Sequence, residues 1–183
     1  MHLKQSLPST DNLNYGIIGN CKSSALINED SSIDWCCLPQ FDSPSVFGKI
    51  LDDAKGGFFK IECDNSYNIT QKYLEKTAIL VTHFDNGIDA FELIDFMPRF
   101  QKDNGVYFAP PEISRMIKYL KGKPILKVLY DPRLEYAKGK TKSTKRTPTA
   151  RATLIGNLPD GRGRSFFFGC LRSASMSEIS LKM

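Results

Sequence analysis

The chain has 183 residues, of which 41% are hydrophobic and 25% are charged, a balance that is typical of globular domains. No run approaches the roughly 20 apolar residues that a membrane-spanning helix requires, and the polar residues 1–9 lack the apolar segment of a secretory signal. We therefore expect a cytoplasmic protein without a membrane partner.

The net charge of +5 is unevenly distributed. Residues 1–136 contain 15 Lys and Arg against 18 Asp and Glu, a balance of −3, whereas residues 137–183 contain 10 against 2, a balance of +8. Any affinity for nucleic acid would therefore depend on the last quarter of the chain. Its one arginine- and phenylalanine-rich stretch, residues 161–169, is a weak signal, so nucleic acid is not our expected partner.

The five cysteines and two histidines do not indicate a metal site. A structural zinc site needs about four ligands at characteristic spacings, and the sequence contains no C-x-x-C pair. Free cysteine is usually a small buried residue in a reducing compartment. The sequence therefore predicts reduced thiols, no metal and no cofactor.

Taken in order, the chain begins with a polar lead-in, residues 1–14, and continues as short apolar segments between turn residues. Asp85-Asn86-Gly87 supplies the positive-φ positions of a tight hairpin turn, and residues 121–124 predict a second hairpin that joins Glu112–Leu120 to Ile125–Tyr130. Several segments are apolar on both faces, as in a sheet that is covered on both sides. An all-β, antiparallel sandwich is therefore expected, with strands at Ser24–Ile27, Ile33–Cys37, Phe58–Cys63, Ala78–Phe84, Ile88–Phe96, Glu112–Leu120 and Ile125–Tyr130.

The pattern changes after Tyr136. Residues 138–146 are rich in Lys, Thr, Ser and Gly, and only residues 150–158 indicate a further strand. The Ser-rich end shows no hydrophobic period. We expect residues 145–183 to be an irregular, basic tail.

Candidate functional residues concentrate in one loop. Asp34 precedes the proline-containing loop 39–45 and Asp42 lies within it. The two could converge as a carboxylate pair, or each could order the loop by bonding backbone amides. Asp89 and Asp95 lie too far apart along one strand, at roughly 20 Å, to match the roughly 5–9.5 Å of glycosidase carboxylates. The aromatic residues Trp35, Phe41 and Phe47 could stack on a sugar ring or pack in the core.

A series of motifs resembles the N-terminal domain of bacterial glucoamylase-like and trehalase-like enzymes of glycoside hydrolase family 15. The first and most specific part lies between residues 15 and 51. The motifs are Tyr15-Gly16-Ile17-Ile18-Gly19-Asn20-Cys21, Ser32-Ile33-Asp34-Trp35, Pro39, Phe41-Asp42-Ser43-Pro44-Ser45-Val46-Phe47, Gly56-Gly57, Tyr73, Thr77, Asp95-Phe96-Met97-Pro98, Arg115, Pro132-Arg133 and Tyr136.

The resemblance implies an antiparallel super-β-sandwich over residues 15–144. In that family an (α/α)6 barrel follows and supplies both catalytic glutamates, with glucoamylase or α,α-trehalase activity on α-glucosidic bonds. The barrel, and an α-glucan or trehalose, are thus the expected partners. Because the sequence stops before a barrel, we expect no catalytic residue and no activity of this chain alone. Asp34, Trp35, Phe41 and Asp42 are expected in a sugar-site or barrel-interface loop.

Two departures from the family pattern qualify this interpretation. Gln40 stands where the family usually has arginine, and residues 145–183 match nothing in the family, as a frameshift would produce. The sandwich would then be incomplete. The alternative function is a stand-alone carbohydrate-binding or interaction module.

Overall fold

In a computed structural model, the protein is described in full over residues 14–138, and beyond them over the backbone of four strands. All regular elements of the described residues are β-strands, and no described helix is long and apolar enough to cross a membrane. The strands are β1 (Tyr15–Gly19), β2 (Ser24–Asn28), β3 (Ile33–Cys37), β4 (Ser45–Phe47), β5 (Phe58–Glu62), β6 (Asn68–Tyr73), β7 (Leu80–Asp85), β8 (Ala90–Phe96), β9 (Phe100–Gln101), β10 (Tyr107–Phe108), β11 (Glu112–Lys121), β12 (Lys127–Asp131), β13 (Thr141–Arg146), β14 (Arg151–Asn157), β15 (Gly163–Arg172) and β16 (Met176–Lys182).

The strands form two antiparallel sheets and a small hairpin, which confirms the all-β prediction. Sheet I has the order β1-β2-β3-β5-β12, with β4 paired to β3. Sheet II has the order β13-β14-β15-β16-β11-β8-β7-β6, and β9 pairs only with β10. The limits predicted for the lead-in, the sandwich and the tail stay a prediction, and residues 1–13 lie outside the described part.

The backbone after residue 140 differs from the irregular tail that the sequence favoured. It contains four strands, and β16 pairs with β11 so that Ile113 lies opposite Leu181. The expected strand at residues 150–158 corresponds to β14. A strand needs only backbone pairing with a neighbour, so the absence of a clear hydrophobic period does not prevent it.

Side chains from both sheets form one hydrophobic core. Phe84 and Phe91 of sheet II stack with ring centroids 4.4 Å apart, and Phe59 and Tyr130 of sheet I meet edge to face at 5.2 Å. These rings lie in a cluster with Ile18, Ile27, Ile33, Phe47, Leu80, Leu93 and Ile113. Burial of this apolar surface is the main favourable term that holds the sheets together.

The hairpin around Asp85-Asn86-Gly87 is confirmed. Strands β7 and β8 pair antiparallel, and Gly87 has a φ of +88°. The Asp85 carboxylate accepts the backbone N–H of Gly87 at 2.6 Å. This bond, with help from Lys121, lowers the pKa of Asp85. The turn residues therefore form the connection that their types predicted.

The second predicted hairpin is wrong. Strand β11 pairs with β8 and β16 in sheet II, whereas β12 pairs with β5 in sheet I. The connecting residues therefore cross from one sheet to the other. The aromatic ring of Tyr130 explains the partner of β12, because it packs against Phe47 and Phe59 of sheet I.

The hydroxyl of Tyr73 links the edges of the two sheets. Tyr73 ends β6 at one edge of sheet II, and its hydroxyl accepts the Ile17 backbone N–H at 2.7 Å and donates to the Ile17 carbonyl at 3.0 Å. Strand β1 is an edge strand of sheet I. The tyrosine therefore occupies backbone groups that an edge strand would otherwise offer to another chain.

We expect Tyr73→Phe to lower the free energy of unfolding by about 1 kcal/mol, because one hydroxyl with two hydrogen bonds is lost. The exposed edge should also increase self-association. Urea denaturation and sedimentation velocity measure the two effects. Tyr119→Phe is the matched control, since Tyr119 is an exposed tyrosine in the middle of sheet II; equal behaviour of the two variants would contradict the role of Tyr73.

Candidate functional site

Asp34 is a buried, fully engaged carboxylate. It follows the β2–β3 turn and is 2% exposed. Its Oδ2 accepts the Tyr15 hydroxyl and the Asn28 amide, both at 3.1 Å, and its Oδ1 accepts the Ser32 hydroxyl at 2.5 Å. A carboxylate with three such donors orders the loop around it.

Trp35 points to the outside of sheet I, where it meets Tyr136. Register shifts on both sides of β3 place Ile33 and Cys36 in the core and leave Trp35 half-buried. The rings of Trp35 and Tyr136 lie 6.3 Å apart at an angle of 37°. Two tilted aromatic rings at a surface make an apolar wall with a polar edge.

Phe41 and Asp42 line an open cavity, and neither Asp34 nor Trp35 is among its lining residues. The backbone N–H of Phe41 binds the Lys22 carbonyl at 3.0 Å, and the loop turns back where Ser43 binds the Gln40 carbonyl at 3.1 Å. Phe41 is 61% exposed. An open cavity of 360 Å³ is lined by Cys21, Lys22, Gln40, Phe41 and Asp42.

The four predicted residues have different surroundings in the structure. Asp34 is buried within its hydrogen-bond network, and Asp42 is exposed on the surface loop. The two carboxylates therefore do not form the exposed, convergent pair that the sequence left as one of two alternatives. The placement of Asp34, Trp35, Phe41 and Asp42 at a sugar site or barrel interface stays a prediction.

A smaller cavity lies beside Tyr136. It has a volume of 130 Å³ and is lined by Ser45, Gly48, Leu51, Asp52, Lys55, Gly56, Tyr136 and Ala137. The Ser45 Oγ is buried and has no hydrogen-bond partner among the described residues. A buried hydroxyl without a partner is costly, so Ser45 is a candidate for a hydrogen bond to a bound molecule.

The wall of this cavity is a strained turn. Glu135, Tyr136 and Ala137 have φ values of +56°, +56° and +60°. Each non-glycine residue in this left-handed region costs roughly 1–2 kcal/mol. Such strain persists only where the surrounding structure holds it, and it is frequent at binding sites.

Arg115 and Asp95 form a completely buried ion pair that spans both sheets. They are direct cross-strand partners on β11 and β8 and are both 0% exposed. Arg115 Nε binds Asp95 Oδ1 at 2.7 Å and Nη2 binds Oδ2 at 3.1 Å. Its other donors reach the carbonyls of Phe59, at 2.7 Å, and Ser31 in sheet I. Burial raises the pKa of Asp95, and the Arg115 charge opposes that rise.

The cysteines of the described part have no chemical role that the geometry supports. Cys36 is buried, and burial raises the pKa of its thiol far above the usual value, so it stays protonated. Cys21, Cys37 and Cys63 are also free thiols. Within residues 14–138, no group of His, Cys, Asp and Glu side chains could hold a metal ion.

Two residues of interest were missed as site candidates by sequence reasoning. Ser45 and Tyr136 both belong to the quoted motifs, but their residue types alone gave no reason to separate them from loop and core positions. Only burial of an unpaired hydroxyl and the left-handed turn identify them.

Comparisons with known proteins agree with this fold. The sequence model of the family described as "Trehalase-like, N-terminal" matches residues 9–153. Trehalase 2 of Sulfolobus acidocaldarius is 45% identical over 86 residues, which are 47% of this chain and 14% of that protein. No solved structure gives a significant match.

Two further relatives are matched over a larger part of the chain. The trehalase of Thermoplasma volcanium is 34% identical over 129 residues, which are 69% of this chain and 20% of that protein. The trehalase of Thermoplasma acidophilum is 36% identical over 115 residues, which are 61% of this chain and 19% of that protein. The chain thus matches a fifth or less of each relative's length. Its β-rich fold and the match over residues 9–153 show that it belongs to the family of trehalase-like N-terminal domains.

Proposed function

We propose that this chain is the non-catalytic β-sandwich of a glycoside hydrolase that acts on an α-glucosidic bond, with trehalose as the first candidate substrate. The family match over residues 9–153 carries the proposal, and the similar proteins named trehalases support the choice of substrate. Glucoamylase-type specificity is the alternative within the same family. The catalytic domain of the intact enzyme would be the partner.

The carboxylates of the sandwich favour a supporting role over a catalytic one. Glycoside hydrolysis needs an acid and a base that face the bond to be cleaved. Asp34 is held by three hydroxyl or amide donors, and Asp95 is held by Arg115. We propose that these groups keep the domain rigid and that the acid and base belong to the partner domain.

An aromatic hairpin is the surface that best suits such a partner. Strands β9 and β10 pair only with each other, and Phe100, Tyr107 and Phe108 are 50%, 57% and 40% exposed. Arg99 and Lys102 lie over the rings of Tyr107 and Phe108 at 4.2 and 4.4 Å. Aromatic and arginine side chains are the groups enriched at the centres of protein interfaces.

A chimera tests this proposal. Residues 9–153 would replace the matching segment of the Thermoplasma volcanium trehalase, and glucose release from trehalose would be measured. We expect activity from the chimera and none from the 183-residue chain alone. Hydrolysis of trehalose by the chain alone would contradict a non-catalytic role.

Variants of the chimera test the interface. Tyr107→Ser is expected to lower activity and thermal stability together, since a central aromatic contact is worth about 1–2 kcal/mol or more. Phe41→Ser tests the sequence-predicted loop in the same way. Ile125→Ser is the matched control, because Ile125 is 87% exposed and lies in the connection between β11 and β12. The hairpin is excluded as the interface if Tyr107→Ser behaves like the control.

The second candidate function is sugar binding by the chain itself, as a carbohydrate-binding module. The specific observation that favours it is the Trp35–Tyr136 pair beside a cavity with an unpartnered hydroxyl. Sugar sites commonly combine an aromatic face with a few convergent polar groups, a combination that also defines ligand pockets in general.

A further inference from the structure

We propose that the cavity between Ser45 and Tyr136 binds one six-membered ring of a neutral, polyhydroxylated ligand. This inference rests on the second candidate function, sugar binding by the chain, and assigns it a place. The shared chemistry is that of a hexopyranose, either as a free monosaccharide or as the end of an oligosaccharide. Neither the sequence motifs nor the family match assigns a ligand to this cavity.

The size and base of the cavity fit such a ring. Its volume is 130 Å³, close to the roughly 150 Å³ of an engineered cavity that admits benzene. Leu51 and Lys55 line it and are exposed, so substituents of the ring can extend into solvent. Ser45 lines the cavity, and its buried hydroxyl has both a donor and an acceptor free for a ligand.

The wall of the cavity is held in place before any ligand arrives. Tyr136 stands in the middle of three left-handed residues, a conformation closed by the hydrogen bond from Lys138 N to the Glu135 carbonyl at 3.1 Å. The ring of Trp35 lies 6.3 Å from that of Tyr136 and supports it. Because Tyr136 lines the cavity in a fixed position, an aromatic contact with the C–H groups of a sugar ring costs little entropy.

The charges at the cavity indicate a neutral ligand. Asp52 and Lys55 both line it, so their opposite charges offset each other. The Asp52 carboxylate is fixed because its Oδ1 accepts the backbone N–H groups of Ala54 and Lys55, both at 3.0 Å. A charged ligand would meet one of these groups unfavourably, whereas hydroxyls can use both as acceptor and donor.

Glycines 48 and 56 give the cavity its space. A Cβ on Gly48 would lie 3.4 Å from the Ser45 Oγ and 3.5 Å from the Gly56 carbonyl oxygen, which is close to ordinary contact. Gly48→Ala should therefore leave the fold intact but place a methyl group beside the hydroxyl. The chain thus offers a variant that fills the site without removing a polar group.

The test measures binding of glucose, maltotriose, trehalose and glycerol to the 183-residue chain by saturation-transfer NMR and calorimetry. We expect the three sugars to bind and glycerol to bind more weakly. Equal affinity for glucose and maltotriose indicates a site for a single free ring, and tighter binding of maltotriose indicates the end of an oligosaccharide. No binding by any of the three sugars would overturn the proposal.

Two variants and one control assign the site. Ser45→Ala is expected to weaken sugar binding by roughly tenfold, as loss of one hydrogen bond does, without lowering the midpoint of thermal unfolding, because the hydroxyl has no partner in the free chain. Gly48→Ala is expected to abolish binding. Ile125→Ala, in the connection between β11 and β12 and outside the residues that line either cavity, should bind like the unsubstituted chain.

The proposal fails if Ser45→Ala and Gly48→Ala bind sugar normally, or if Ile125→Ala alone removes binding. It also fails if Ser45→Ala lowers the unfolding midpoint, since the hydroxyl would then have a structural bond. These outcomes are independent of the chimera experiment. A chain that binds no sugar can still support trehalose hydrolysis in the chimera, and a chain that binds sugar can fail to support it.

Discussion

Replacement of Arg115 by methionine is expected to lower the free energy of unfolding by about 3–5 kcal/mol. The substitution keeps an unbranched apolar stem but removes the guanidinium group, which leaves the Asp95 carboxylate buried without its positive partner. It also removes the donors to the carbonyls of Phe59 and Ser31, which tie sheet II to sheet I. Urea denaturation followed by circular dichroism measures the loss.

The pH dependence of the same variant gives a second test. Without Arg115 nothing opposes the effect of burial, so the pKa of Asp95 rises further. A group with a raised pKa in the folded state contributes stability at low pH and loses it as pH rises through that pKa. Arg115→Met should therefore lower the free energy of unfolding by less at about pH 5 than at about pH 8.

Lys118→Met is the matched control for Arg115→Met. Lys118 lies on the same strand and its Nζ binds Glu92 at 3.0 Å, but its side chain is 47% exposed. Exposed ion pairs contribute roughly 0–1 kcal/mol, so the control should be nearly neutral. Arg115→Met with Asp95→Leu should recover part of the loss, because no charge then remains buried. If Arg115→Met lowered the free energy of unfolding by less than about 1 kcal/mol, Arg115 would not be joining the two sheets as described.

Gly57→Ala is expected to lower the free energy of unfolding by about 2–5 kcal/mol. Gly57 precedes β5 and has a φ of +75°, where a Cβ costs roughly 1–2 kcal/mol. That Cβ would also lie 2.3 Å from the Asp131 carbonyl oxygen, on the neighbouring strand β12. Relief of this contact requires movement of backbone, which adds about 1–3 kcal/mol.

Gly87→Ala separates the two contributions. Gly87 has a similar φ of +88°, but no heavy atom lies within 4 Å of the position of its Cβ. Gly87→Ala should therefore lower the free energy of unfolding only through the cost of a Cβ in the left-handed region, about 1–2 kcal/mol. Chemical denaturation of both variants measures the difference, and equal losses would show that the approach of β5 to β12 at Gly57 is not tight.

Several elements were predictable because they depend on local residue types. The strand Ile33–Cys37 has the predicted limits, and the Asp85-Asn86-Gly87 turn forms because Gly87 accepts a positive φ and Asp85 caps its N–H. Strand β6 was not predicted, since Asn68–Tyr73 is mostly polar and exposed. It is an edge strand, and an edge strand does not need an apolar face to pair.

Pairing over long distances was not predictable from local pattern. Glu112–Leu120 and Ile125–Tyr130 were predicted as the two arms of a hairpin, but the strands found there, β11 and β12, belong to different sheets. The sheet that each strand joins is set by Arg115, which lies opposite Asp95, and by Tyr130, which packs in sheet I. These contacts join residues that are distant in the chain, so no local signal reports them.

The sequence alone determined the all-β class and the family, because turn types, two-sided apolar strands and the motifs between Tyr15 and Tyr136 are local properties of the chain. It also named Asp34 and Trp35 as notable residues. Only the tertiary structure decided that Asp34 is a buried loop-ordering group and that Trp35 faces Tyr136. Burial and partner choice depend on how the two sheets pack, and that packing is set by the whole core at once.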